Sequence, residues 1–303
     1  MSDIINIATL SSRAMLVALH ISTWTARKFD KRVSDDVAKQ NNAKTDAGRY
    51  NKLLVSKKSL ETIQQLASDA RASHYYNTLP WDDAGYRILT MENFDVYTEK
   101  MRKFRLEFDE AVEDFVASYP SYKEEAKDRL GKLFSDDDYP SVADIRRRFD
   151  FTTHIMPLPD AKDFRVKLGD EQVAQIQADI EQRVKDQVFE AANDAWRRIH
   201  EVVSRMSERL DAYSKRTEGD RSGFFRDSLV DNVVDLANVL PRLNLLGDPQ
   251  LDKIARDMID RLGKHSAQEL RKDPKVRAQV KRSADEILAA MEGYIGIAPK
   301  AAA

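Results

Sequence analysis

The sequence has no cysteine, and only ten glycines and nine prolines in 303 residues. Without cysteine there are no disulfides, thiolate zinc sites, iron–sulfur clusters or cysteine nucleophiles. Scarce glycine and proline argue against turn-rich β architectures. Neither sign of charge dominates: 49 Lys and Arg stand against 51 Asp and Glu, for a net charge of −2. No global field therefore draws the chain to nucleic acid or to a membrane. No apolar run approaches the ~20 residues of a membrane span. The N-terminal stretch MSDIINIATLSSRAMLVALHISTW lacks the order of charge, apolar core and cleavage site of a secretory signal. The chain is expected to be cytoplasmic.

The chemical motifs are also missing. There is no phosphate-cradling glycine loop, no Gly-x-Ser-x-Gly elbow and no His-Glu-x-x-His. No catalytic residue, cofactor or metal site is predicted, and an enzyme is the least favoured class. Among the five histidines, no two share the i, i+4 spacing of a helical metal site. His20 and His154 fall on two predicted strands and form the one pair to nominate, against the plainer reading of hydrogen-bonded packing histidines. Asp136, Asp137 and Asp138 resemble an acidic metal cluster. They lack the alternating ligands, mid-loop glycine and distal glutamate of a Ca²⁺ loop, so a solvated turn is the default.

What is present is helical pattern. From Gly169 to about Lys215 the chain has no proline and no further glycine, and it reads as one helix of about 45 residues, ~70 Å long. Its second half is heptadic, with Trp196, Ile199, Val203, Met206, Leu210 and Tyr213 as a candidate self-association seam. Its first half steps by fours (Ile176, Ile180, Val184, Val188), so the two halves should face different partners. The second half should meet either the C-terminal helices or another subunit. Phe94, Tyr97, Met101, Phe104, Phe108, Ala111 and Phe115 make a second, aromatic stripe that should stop at Pro120. Alternation at residues 15–23 and 149–155 predicts two strands that pair. Phe164, Val166 and Leu168 suggest a short third. The fold expected is mainly α, with long antiparallel helices and a small two- or three-stranded antiparallel sheet. The expected division is an N-terminal helical lobe with the sheet (1–168), a long connecting helix (169–217), a C-terminal helical lobe (218–298) and a disordered tail (299–303).

Two surface features point to partners. Pro80 and Trp81 fall in a predicted loop and form a candidate docking anchor. Arg146, Arg147 and Arg148, with Arg27, Lys28, Lys31 and Arg32 near the other strand, form one basic cluster. Arg271, Lys272, Lys275, Arg277, Lys281 and Arg282 form another. Together they are the basis of an alternative, nucleic-acid-binding reading. Acids interrupt each cluster, so an ion-paired solvated face is the plainer account.

The order of the loop motifs carries a resemblance. Thr78-Leu79-Pro80-Trp81 is followed by Gly85, Arg87, Ile88 and Leu89. Tyr139-Pro140-Ser141 is followed by Phe149, and Pro157-Leu158-Pro159 by Asp163-Phe164-Arg165-Val166. With the N-terminal Leu-x-Ile-x-x-Trp strand, they resemble a domain-of-unknown-function family of tailed phages and prophages, over about residues 12 to 288. The resemblance implies a phage-associated protein of the infected cytoplasm. Such proteins are often encoded near a MoxR-type AAA ATPase, which implies that ATPase as a partner. It supplies no catalytic residue. The function expected is a non-enzymatic interaction or assembly protein that is homo-oligomeric or docks to a protein partner.

Overall fold

The computed structural model describes residues 10, 12–161, 170–214 and 224–295. In chain order, β1 (Ala14–Ser22) and β2 (Arg27–Phe29) precede α1 (Lys31–Gln40), β3 (Asn51–Leu53) and α2 (Glu61–Tyr76). β4 (Leu79–Pro80), β5 (Arg87–Thr90), α3 (Phe94–Leu130), α4 (Val142–Arg146) and β6 (Asp150–Pro157) follow. The rest is helical: α5 (Asp170–Ser214), α6 (Ser228–Leu243), α7 (Pro249–Asp257), α8 (Ala267–Lys272) and α9 (Pro274–Ile295). The expected strand at Phe164, Val166 and Leu168 and the tail from Pro299 lie outside the described residues.

The fold is mainly α, with a 45-residue α5 and a small antiparallel sheet. That sheet has four strands in the order β4-β5-β1-β6, so the expected pairing of the first strand with the stretch near 151–156 is present. The two added strands come from residues that read as a loop. Leu79 pairs with Ile88, and Ala14 to Val17 pair with Thr90 to Arg87. Pro80 is tolerated because β4 is an edge strand. Gly85, at φ 97°, makes the turn between β4 and β5. The Asp82 carboxylate fixes that turn by accepting from the Ala84 and Tyr86 N–H groups.

The chain forms two compact units that interleave along the sequence. One comprises residues 1–18, 75–96 and 155–303; the other comprises residues 19–74 and 97–154. The sequence reading divides the chain into consecutive pieces instead.

In the first unit, α5 and α9 run antiparallel. Arg277 of α9 donates to Ser214, and Asp285 accepts from Ser207. Ile199, Val203, Met206 and Leu210 of α5 are fully buried, with Val280, Ala284 and Ile287 of α9 in the same core. The step-by-four half contributes Val184 and Val188 to that core. α6 adds Val233, Leu236 and Leu240 and continues through Pro241 to Leu243. A short π turn, Met258–Leu262, packs against α6.

In the second unit, α3 is continuous through Pro120, where the sequence predicts a stop. Proline removes one helical hydrogen bond. Packing outweighs the loss: Tyr119 lies 5.8 Å from the Trp24 ring and donates from its hydroxyl to the Pro140 carbonyl. Phe115 touches Trp24, Tyr122 and Phe149, and Phe108 touches Phe151. The aromatic stripe of α3 is therefore the core of this unit. His74 and Tyr97 are buried there together, with Nδ1 of one 2.8 Å from the hydroxyl of the other.

Candidate functional site

The residues nominated from the sequence fall into three groups. The heptad seam is filled from within the chain. Trp196, Ile199, Val203, Met206 and Leu210 are buried in a single copy, and Tyr213 packs on Phe225 and under the Arg277 guanidinium. Of the two partners left open, the chain's own C-terminal helices occupy the seam, so it is not a free self-association surface. The docking loop is corrected as well: Pro80 lies in β4, and the Trp81 ring is only 7% exposed, inside the core of the first unit.

The basic clusters are largely committed. Arg146 pairs with Glu113 and Arg147 with Asp144. Arg271 pairs with Asp227 and donates to the Phe225 carbonyl. Arg277, 8% exposed, donates to the Leu270 and Arg271 carbonyls at the end of α8. Lys281 pairs with Asp285. Arg148, Lys272, Lys275 and Arg282 remain at the surface. His20 and His154 are both exposed on neighbouring strands, and His20 Nε2 lies 3.3 Å from Ser22 Oγ. Among the described residues no cluster of three or more His, Asp or Glu side chains is placed to hold a metal ion.

The structure instead draws attention to β2, α1 and β3 in the second unit. β2 and β3 form a separate two-stranded ribbon, with Arg27 opposite Leu53, Lys28 opposite Lys52 and Phe29 opposite Asn51. The sequence conceals β2, because Phe29, Val33 and Val37 recur every four residues, as they would on one helix. The helix starts only at Lys31, where Asp30 caps it by accepting from the Val33 N–H at 3.1 Å. The same residue ties down the far end of the loop. Its backbone N–H donates to the Tyr50 carbonyl, and the Tyr50 N–H donates to Ser34 Oγ. At the other end of α1, Asn42 adopts φ 51°, which returns the Ala43 N–H to the Ala38 carbonyl. The loop that carries Arg49 and Tyr50 is thus held at both ends.

Alternation along the ribbon gives it two faces. Lys28 and Lys52 share the inner one. Lys52 is 6% exposed, and its ammonium lies 2.6 Å from Asp138 and 3.5 Å from Asp30, while donating to the Leu133 carbonyl at 2.7 Å. Its three N–H groups are satisfied, and it acts as a fixed strut. The Val33 N–H, and then Lys52, hold the Asp30 carboxyl below the usual carboxylate range against the opposing effect of burial. Two carboxylates of the acidic run face lysines: Asp138 faces Lys52 and Lys28, and Asp136 faces Lys123.

Arg27 and Phe29 share the outer face. Phe29 is 46% exposed, and the Arg49 guanidinium lies 5.8 Å from its ring centre. Two grooves are lined in part by α1. One, of about 390 Å³, is lined by Phe29, Lys31, Arg32 and Lys132, with Lys52 between Asp30 and Asp138 at its base. The other, of about 340 Å³, is apolar, between Val37 and Ala38 of α1 and the loop at Ala47 to Tyr50. Val37 (50%) and Tyr50 (38%) are exposed at its rim. The arrangement can hold a planar or apolar group beside several cations.

No family model matches the chain, and neither a curated protein nor a solved structure matches it.

Proposed function

We propose that this chain is a non-enzymatic helical assembly protein that enters a larger complex through the β2–α1–β3 surface, in the phage setting its loop motifs imply. One observation carries the proposal. Phe29, Val37 and Tyr50 are all exposed; Phe29 lines one groove, Val37 and Tyr50 line the other, and Arg49 of the second groove lies 5.8 Å from the Phe29 ring centre. Scattered surface apolar residues need no explanation, but a contiguous group rimmed by charge marks a contact surface. Leu106 and Val142, also exposed in this unit, line neither groove. The assembly reading thus moves from the long helix, whose seam is filled, to a small ribbon near the N-terminus.

Sedimentation through a gradient tests this. In lysate of the native host, the protein should travel in heavier fractions than the purified chain. The double variant Phe29→Asp with Tyr50→Asp, exposed positions that leave the fold unchanged by circular dichroism, should return it to the light fractions. Identical sedimentation in lysate and in buffer, or a variant that stays heavy, would contradict the proposal.

A further inference from the structure

We infer that the occupant of this surface is single-stranded nucleic acid; the inference rests on reading the β2–α1–β3 surface as a contact site. Charge is the first argument. Residues 27–58 hold ten Lys and Arg against four Asp, in a chain whose net charge is −2. Their excess of six positive charges is offset elsewhere in the chain. Among the described residues, only Lys28, Lys31 and Lys52 of those ten lie within ion-pair distance of a carboxylate. The other basic residues nominated from the sequence differ in this respect, since Arg146, Arg147, Arg271 and Lys281 are each paired with an acid. Unpaired cations kept close together in sequence are suited to a polyanion, whose counterions are released on binding.

Geometry is the second argument. A charge-only contact needs no ring, yet Phe29 stands exposed on the outer face of the ribbon, next to Arg27 on the same face. Arg49 is stacked 5.8 Å from its ring centre, and Arg32 and Lys132 line the groove alongside. Tyr50 supplies a second aromatic ring one residue beyond Arg49. An aromatic platform amid backbone-tracking cations is the pattern of sequence-tolerant single-strand binding. The Lys52 strut beneath makes the platform rigid, so little ordering is required on binding. Duplex DNA hides its bases from such a platform, and an acidic protein segment would leave Phe29 without a stacking partner.

Fluorescence anisotropy of the full purified chain with a labelled oligothymidylate of about 15 nucleotides tests the inference. Binding is expected at about 50 mM salt, weakening about tenfold or more by about 200 mM, as three or more phosphate contacts require. Phe29→Ala should weaken it at least about fivefold, the loss expected for one stacked base. Arg27→Gln with Arg49→Gln should reduce the salt dependence, and Arg147→Ala should leave binding unchanged. Polyglutamate of equal charge should compete poorly. Absence of binding at low salt, indifference to Phe29→Ala, or equal competition by polyglutamate would overturn the inference, the last in favour of an acidic protein. Nuclease treatment of the lysate separates this inference from the reading beneath it. Heavy fractions that survive nuclease but collapse in the Phe29 and Tyr50 variant would remove nucleic acid and keep the surface.

Discussion

Lys52 shows how much of the site depends on one side chain. It is a lysine in the sequence like 48 other basic residues, yet it is almost fully buried between Asp30 and Asp138. Removing one partner of a buried pair leaves an uncompensated charge, and that typically costs about 3–5 kcal/mol. Lys52→Met should therefore destabilise the second unit by about that amount in urea denaturation. Adding Asp138→Asn should recover a good part of the loss; a double variant as unstable as the single would show that packing, not charge, is at stake. Asp30 sets a pH dependence. Because its folded pKa is lowered, its contribution is fully present above the ordinary aspartate value and is lost as pH falls through the folded one. The urea midpoint should fall as pH drops below about 4, and Asp30→Asn should flatten that part of the curve. Gly263 makes a different point. It follows the π turn, where a helix-ending glycine is usually left-handed. Its φ is not left-handed, however, and a Cβ there would lie 2.6 Å from Val234 Cγ2. Close packing of α6 is what excludes a side chain, so Gly263→Ala should lower stability by about 1–3 kcal/mol, measured as a drop in melting temperature. An unchanged melting temperature would show that α6 yields.

At the scale of elements, regular patterns were legible and short ones were not. The 3.6-residue period over residues 170–214 marks α5 along its length, because a long periodic run has no competing reading. The first strand and its pairing with β6 were legible from alternation. β4, β5 and the ribbon were not. They are two to four residues long, too short for a period, and β5 and the ribbon strands also pair with partners distant in sequence. Pro80 and Gly85 read as loop signals, and only the edge position of β4 and the turn at Gly85 reveal why they fit a sheet. Pro120 misled for a related reason, since aromatic packing around Tyr119 offsets one missing hydrogen bond. The seam of α5 was legible as apolar but not as internal: periodicity gives the face of a helix, not what covers it. Leu210, fully buried, tests this. Leu210→Ala should cost about 2–5 kcal/mol and leave the oligomeric state unchanged by mass photometry. A change of oligomeric state without loss of stability would return the seam to an intermolecular role.

For the whole molecule, the two units divide the chain's properties. The unit with α5 to α9 holds a continuous aliphatic core, and α9 closes the seam of α5. The other is built on aromatic packing along α3 and carries the ribbon with its concentration of cations. Near-zero net charge hid that concentration, because an average over 303 residues cancels a local excess. Among the described residues no helix is long and apolar enough to cross a membrane. On the proposed reading, contacts with other molecules are made at Phe29, Val37 and Tyr50. Hydroxyl-radical footprinting tests it most directly, comparing the purified chain with the heavy complex recovered from host lysate. Leu106 and Ile155 are comparably exposed and serve as internal references. Protection of Phe29, Val37 and Tyr50, with Leu106 and Ile155 as reactive as before, is the predicted result. Unprotected Phe29 and Tyr50, with protection appearing elsewhere on the chain, would contradict the account.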